Sequence, residues 1–236
     1  MTGPTMTGRT TTARHHPGEE MLLGYASGDL AEPFALVVAT HLALCPECRA
    51  AVDRLEALGG VLLERVGIET GNAASLESAI DAAIARAARL SDAGVPDRPA
   101  PRRVTGVSDR LFPQPLLDYV GGGLDRVPWK TLAPGIRHCI VARDADGDTA
   151  RLLSIAPGHA VFEHSHGGTE MTLVLQGSYT SGGAHFRRGD LEQADDSVVH
   201  RPVAGDEATC ICLAVTDAPL RFRNVVGRLL QPLFGI

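Results

Sequence analysis

The 236-residue sequence contains no apolar run approaching the roughly 18 residues that a membrane-spanning helix requires. The charge-free apolar stretch Phe34 to Pro46 is too short and is interrupted by His41. The start, residues 1–14, is rich in Thr and Gly but has no hydrophobic segment, so it reads as a disordered lead-in and not as a signal peptide. Five cysteines, an odd number, do not suggest a disulfide framework, and the two in a metal-type spacing fit a reducing compartment. The expected location is therefore the cytoplasm. Basic residues are scarce in the first half. Between His15 and Leu90 there are eleven Asp/Glu against five Arg and no Lys, which accounts for the whole formal charge of −6. Such a segment argues against direct DNA binding, which needs basic residues facing phosphates. It suits a partner with a basic surface, such as a DNA-binding protein kept off DNA, or simply a solvated acidic face.

What is present is a globular composition, 44 % hydrophobic, long enough for one large or two ordinary domains. The first part reads as helical. Glu19 and Glu20 favour a helix N-terminus, Met21, Leu22, Tyr25 and Ala26 supply an apolar face, and Gly28 ends it. Glu32-Pro33 opens a second helix carrying Phe34, Val37, Val38, His41, Leu42 and Cys45 at helical spacing. A third is expected from Pro46 to about Val66, and a fourth, Ala-rich one over Ser75–Leu90, packed on its own domain or free for a partner. Residues 91–115 carry five prolines and no periodic apolar pattern, which marks a linker. Beyond it, Ile136–Ala142, Ala150–Ala156, Met171–Tyr179 and Thr209–Val215 read as strands of an antiparallel barrel or jelly roll. The expected fold is thus α + β in two domains: a lead-in at 1–14, a four-helix domain at 15–90, a linker at 91–115 and a β-barrel at 116–236.

The most chemically specific stretch of the first half is His41-Leu-Ala-Leu-Cys45-Pro-Glu-Cys48. On a helix His41 and Cys45 lie four apart on one face, and Cys48 follows three later, so all three can converge on one point. Zinc takes four N/S ligands in a tetrahedron, and the fourth would come from His16 or His15, just ahead of the first helix. A redox Cys-x-x-Cys belongs beside a βαβ unit, and none precedes this one. So small a helical unit buries little surface, so structural zinc, worth on the order of 10 kcal/mol, would be part of its fold.

A second constellation, Gly158-x5-His164-x-His166-x3-Glu170-x6-Gly177, lies in the β-rich part. Residues two apart in a strand share a face, so His164 and His166 look the same way, and Glu170 arrives at the start of the next strand. This closely matches the first cupin motif. His200 takes the place of a fourth ligand, with His185 as its rival, because Asp195, Asp196 and Ser197 stand where the usual second motif has Pro-x-Gly. The donor set accepts Zn, Fe, Mn or Ni. No acid or base partner is recognisable near it. Cys210 and Cys212 share one face of a late strand, either as small buried hydrophobes or as an oxidisable thiol pair facing the metal. Cys139 has no assigned role.

The combination of His-x3-Cys-x2-Cys with an upstream His, a short helical domain, a Pro-rich linker and a C-terminal cupin resembles the ChrR-type zinc-binding anti-sigma factors. The similarity runs from about Arg14 to the C-terminus and includes Leu36-Val-Val-Ala-Thr-His41-Leu-Ala-Leu-Cys45, Leu173-Val-Leu-Gln-Gly177 and the text from Cys210 to Phe222. The Thr-rich start departs from it. The resemblance implies that the helical domain sequesters an extracytoplasmic-function sigma factor and that the cupin releases it under oxidative stress, from singlet oxygen or organic peroxide. It implies Zn2+ on His16, His41, Cys45 and Cys48. It also implies a second divalent metal, zinc in the family, on His164, His166, Glu170 and His200. Neither catalysis, membrane contact nor direct nucleic-acid contact is implied. The competing reading is a metal-dependent cupin dioxygenase or isomerase with a zinc-bound helical regulatory domain.

Overall fold

A computed structural model describes residues 13–65, 111–219 and 221–222, with isolated helical positions at 78, 81 and 85. Helix α1, Glu19–Ser27, has no side-chain cap and relies on Glu19 and Glu20 in its first turn, whose charges complement the amide dipoles. It ends at Gly28. Helix α2, Glu32–Leu44, carries Pro33 in its first turn, where the missing N–H has no helical acceptor to lose. Phe34, Leu36, Val37, Val38, Thr40, His41 and Leu42 are all buried. That set covers about two thirds of the circumference, a wider stripe than a helix packed on one side presents.

Cys45 turns extended (φ −116°, ψ 102°) while its N–H closes α2 on the His41 carbonyl at 2.8 Å. Pro46 then opens α3, Pro46–Arg65. Arg49 reaches back so that Nε and Nη2 donate to the Leu42 carbonyl at 3.1 and 2.8 Å. This satisfies an acceptor that the end of α2 leaves open. α3 buries Cys48 and Val52, and its residues from Glu56 to Glu64 are exposed.

Apart from the helical positions 78, 81 and 85, the fourth helix expected over Ser75–Leu90 lies outside the described residues, as do most of the linker and nearly all of the lead-in. The end of the expected linker, Leu111 to Pro115, is packed structure. Phe112 is buried, and Pro113 stands immediately before helix α4, Gln114–Val120, with Pro115 in its first turn. Two of the prolines that mark a linker in composition therefore start a helix.

A short 3-10 turn, Leu124–Arg126, leads into the β region. Its strands are β1 Lys130–Ala133, β2 Ile136–Arg143, β3 Thr149–Ile155, β4 His164–Ser165, β5 Glu170–Gln176 and β6 Ser178–Ser181. They continue as β7 Ala184–Arg187, β8 Leu191–Ala194, β9 Val199–His200, β10 Val203–Ala204, β11 Cys210–Thr216 and β12 Arg221–Phe222. Six form an antiparallel sheet in the order β1-β2-β3-β11-β5-β8, and smaller sheets β10-β6-β7 and β12-β4-β9 complete a jelly roll.

Side chains on β3, β5 and β11 alternate between two cores. Leu152, Leu173, Ile211 and Leu213 share one with Leu36, Val37 and Val38 of α2 and Leu116 of α4. Each such fully buried side chain contributes about 1.5–3 kcal/mol. Ile155, Val174, Cys210 and Cys212 face the barrel interior, against Tyr179 of β6 and Phe186 of β7. Between β5 and β6 the chain turns at Gly177, with φ 66°, where a Cβ would stand 2.9 Å from the Thr209 carbonyl oxygen. Only glycine fits there. Among the described residues no single helix is long and apolar enough to cross a membrane. α1 and α2 pass that test only together, and they are bent by 107°.

Two candidate metal centres

The first centre gathers at the α2–α3 junction. His16 Nδ1 lies 3.3 Å from Cys48 Sγ and 3.5 Å from Cys45 Sγ, and His41 Nε2 lies 3.3 Å from Cys48 Sγ. Tetrahedral zinc with ordinary Zn–N and Zn–S bonds sets such N···S edges at about 3.5 Å. The four donor atoms all lie within 4.8 Å of one another, so the residues fit the ion. The break at Cys45 turns its sulfur to the same point that His41 reaches from the last turn of α2. The Cys48 N–H then points to Cys45 Sγ at 3.5 Å, an orientation that favours thiolate character. Glu47 places a carboxylate oxygen 3.8 Å from His16 Nε2, the nitrogen turned away from the centre.

Burial sets the protonation of this cluster. His41 is fully enclosed, and desolvation, reinforced by His16, takes its pKa down to about 4, so the ring is neutral with a lone pair to give. Burial first, then the neighbouring Cys45, pushes the Cys48 thiol up to about 12. Such a sulfur becomes a thiolate only beside a cation. Of the two upstream histidines only His16 reaches the cluster. His15 turns the other way, its ring 4.4 Å from that of Phe186.

The second centre sits inside the barrel. β4 and β9 pair with His164 opposite His200. His200 Nε2 lies 3.1 Å from both His164 Nε2 and His166 Nε2. Glu170, at the start of β5, brings Oε2 to 2.9 Å from His166 Nδ1, 3.5 Å from His164 Nε2 and 4.0 Å from His200 Nε2. All four residues are at most 8 % exposed. Glu170 Oε2 and His166 Nδ1 are buried without a well-formed hydrogen bond, a deficit that a cation between them would answer. Burial opposes ionisation of Glu170, but the close approach of His164 and His166 outweighs it and holds the carboxylate well below its usual range. For His164 burial likewise opposes charge, and Glu170 outweighs it and raises the pKa. His185, the rival ligand, is exposed on β7 and takes no part.

Surrounding contacts orient these side chains, and several come from residues without a motif. His164 Nδ1 donates to the Phe162 carbonyl at 2.7 Å, which turns Nε2 toward the centre. His200 Nδ1 lies 2.9 Å from Ser181 Oγ and 3.4 Å from Glu192 Oε1. Glu192 in turn accepts Ser181 Oγ–H at 2.7 Å and Tyr179 O–H at 2.9 Å. With its hydroxyl hydrogen given to Glu192, Ser181 accepts from His200 Nδ1–H, so His200 also presents Nε2. Cys210 and Cys212 are buried on the inner face, their sulfurs 3.4 Å apart. The hydrogen bond to Cys210 comes first among the causes that raise the Cys212 pKa, followed by burial, and the charges of Glu170 and Glu192 add to it. Register places His138 and Arg151 on that face too, two residues along from Ile136 and Leu153 respectively.

Residues 121–219 match the family model of the ChrR cupin-like domain. The chain is 45 % identical over 228 residues to the anti-sigma-E factor ChrR of Cereibacter sphaeroides, covering 95 % of this chain and all of that protein. The chain belongs to the ChrR family. The crystal structure of Rhodobacter sphaeroides SigE in complex with the anti-sigma ChrR contains a chain that aligns with a TM-score of 0.67 at 41 % identity. The alignment covers 87 % of this chain and 99 % of that one. The ChrR cupin-like match encloses His164, His166, Glu170 and His200 as well as Cys210 and Cys212. The His16, His41, Cys45 and Cys48 centre lies outside it, ahead of residue 121.

Proposed function

We propose that the protein is a cytoplasmic, non-catalytic anti-sigma factor. Its helical part binds an extracytoplasmic-function sigma factor, and its cupin controls release of that factor under oxidative stress. The observation that carries this reading is 45 % identity to an anti-sigma factor over 95 % of the chain, together with two clusters of donor atoms in ligand geometry. The helical centre holds Zn2+ on His16, His41, Cys45 and Cys48. The bound ion would tie the residues ahead of α1 to the α2–α3 junction. The cupin centre holds a second divalent metal, zinc by family resemblance, on His164, His166, Glu170 and His200.

The acidic helical segment favours a protein partner over nucleic acid. Leu58, Val61, Leu62 and Leu63 of α3 are exposed, an apolar surface of the kind that marks partner contacts. Co-expression of the full chain with its cognate extracytoplasmic-function sigma factor should yield a one-to-one complex. Cys45→Ser and Cys48→Ser should abolish that complex and remove one metal per chain. Failure of the full chain to bind any sigma factor would refute the reading.

A further inference from the structure

The turn from β7 into β8 lies between the two centres. The side chain of Asp190 is completely buried. Its Oδ1 accepts the backbone N–H groups of Arg14 at 2.5 Å and His15 at 3.2 Å, and its Oδ2 accepts that of Arg187 at 2.9 Å. Leu191, the next residue, donates its N–H to the His15 carbonyl at 3.1 Å. That carbonyl is bonded directly to the backbone nitrogen of His16, so the clamp ends at a ligand of the helical centre. On the other side of His16, Gly18 N–H donates to Gln193 Oε1 at 3.1 Å, and Gln193 Nε2 donates to Glu20 Oε1 at 2.9 Å. Residues 190–193 thus bracket His16 from both sides. Gly189, with φ 93°, brings the turn close to the segment ahead of α1: a Cβ there would meet Ala13 Cβ at 3.7 Å.

Alternation along β8 sends Glu192 to the opposite face. There it bonds Ser181 and Tyr179 and stands 3.4 Å from His200 Nδ1. One short strand therefore touches the surroundings of both centres: Leu191 and Gln193 with Asp190 on the helical side, Glu192 on the barrel side. We propose that Asp190 and β8 form the mechanical link between the two centres, positioning His16 for the helical metal while Glu192 and His200 hold the strand in place from the barrel. Asp190 is a positioning residue and Glu192 the point of entry. Loss of the His200–Glu192 contact frees β8, loosens the segment ahead of α1 and weakens retention of the helical metal. This route needs no signal through the residues between α3 and α4.

The inference rests on reading His16, His41, Cys45 and Cys48 as a metal centre, and it is independent of the sigma partner. The test uses the full chain loaded with Co2+. Thiolate-to-cobalt absorption reports the helical centre, with Cys45→Ser as the control that assigns the band. Its decay in excess chelator measures retention. Asp190→Ala should accelerate decay at least about tenfold, the range typical of residues that orient metal ligands, and Asp190→Asn should accelerate it less. Glu192→Ala leaves Asp190 intact and should accelerate decay several-fold, with faster amide exchange in the peptide spanning residues 13–18. Asp195→Ala, in the exposed turn after β8, should match the parent chain. Val174→Ala, a destabilised barrel-core control, should also retain the metal as the parent does.

Unchanged decay in Asp190→Ala would overturn the proposal, as would unchanged decay and exchange in Glu192→Ala, or equal acceleration in Val174→Ala. If Asp190→Ala does not fold, Asp190→Asn and Glu192→Ala decide. Absence of any thiolate band in the parent chain would remove the metal reading and the proposal with it. A band with unaltered decay in these variants would remove the link alone.

Discussion

Glu192→Gln is the substitution that most sharply tests how the barrel holds its ligands. The side chain accepts hydrogen bonds from Tyr179 and Ser181 at 2.9 and 2.7 Å and stands 3.4 Å from His200 Nδ1. Gln preserves the shape and one acceptor but removes the charge. Hydrogen bonds to a charged group contribute about 1.5–3 kcal/mol and neutral ones about 1 kcal/mol, so converting two should cost roughly 1–4 kcal/mol of stability. Glu192→Ala orphans both hydroxyls and should cost about 2–6 kcal/mol. The effect on His200 is separate. Loss of a group that orients a ligating histidine typically weakens metal binding 10–100-fold, or about 1.4–2.7 kcal/mol. Competition against a calibrated chelator measures the affinity of the barrel centre, and thermal unfolding in the metal-free state measures stability. Unaltered barrel-metal affinity in both Glu192 variants would refute the orienting role, leaving Glu192 as a hydrogen-bonding partner of the barrel core alone.

Two further substitutions probe the framework. Gly177→Ala forces a side chain into a left-handed turn with the Thr209 carbonyl 2.9 Å away, so thermal unfolding should show a loss of about 2–4 kcal/mol. Arg49→Ala removes both donors to the Leu42 carbonyl and should lower stability by about 1–2 kcal/mol in the same assay. It should also release the helical metal faster to a chelator, because the α2–α3 junction it braces carries Cys45 and Cys48.

Much of the framework is legible in the sequence because its signals are local. Gly28, Pro33 and Pro46 punctuate α1, α2 and α3, and the short β-rich runs become β2, β3 and β11, with Met171–Tyr179 divided at Gly177 between β5 and β6. His41, Cys45 and Cys48 fall within eight residues, so one helical junction suffices to bring them together. The choices left open are settled by contacts across the fold: Phe186 and Asp190 draw His15 away from the cluster, and burial separates His200 from His185. Glu192, Ser181 and Tyr179 carry no motif. They meet His200 only through the pairing of strands two to four residues long, too short to show an alternating pattern. The burial of Leu36 and Thr40 is equally non-local, since it arises where α2 lies against the sheet as well as against its helical neighbours. Phe112 sits among prolines that mark a linker by composition, and tertiary packing places it in the core.

The most direct test of the division of labour between the centres is oxidant-driven release from the purified complex with the sigma factor. Singlet oxygen or an organic hydroperoxide should dissociate the parent complex, while His164→Ala and Glu170→Ala complexes should form normally and stay intact under the same dose. Release at the parent rate from these two variants would contradict a role for the barrel centre.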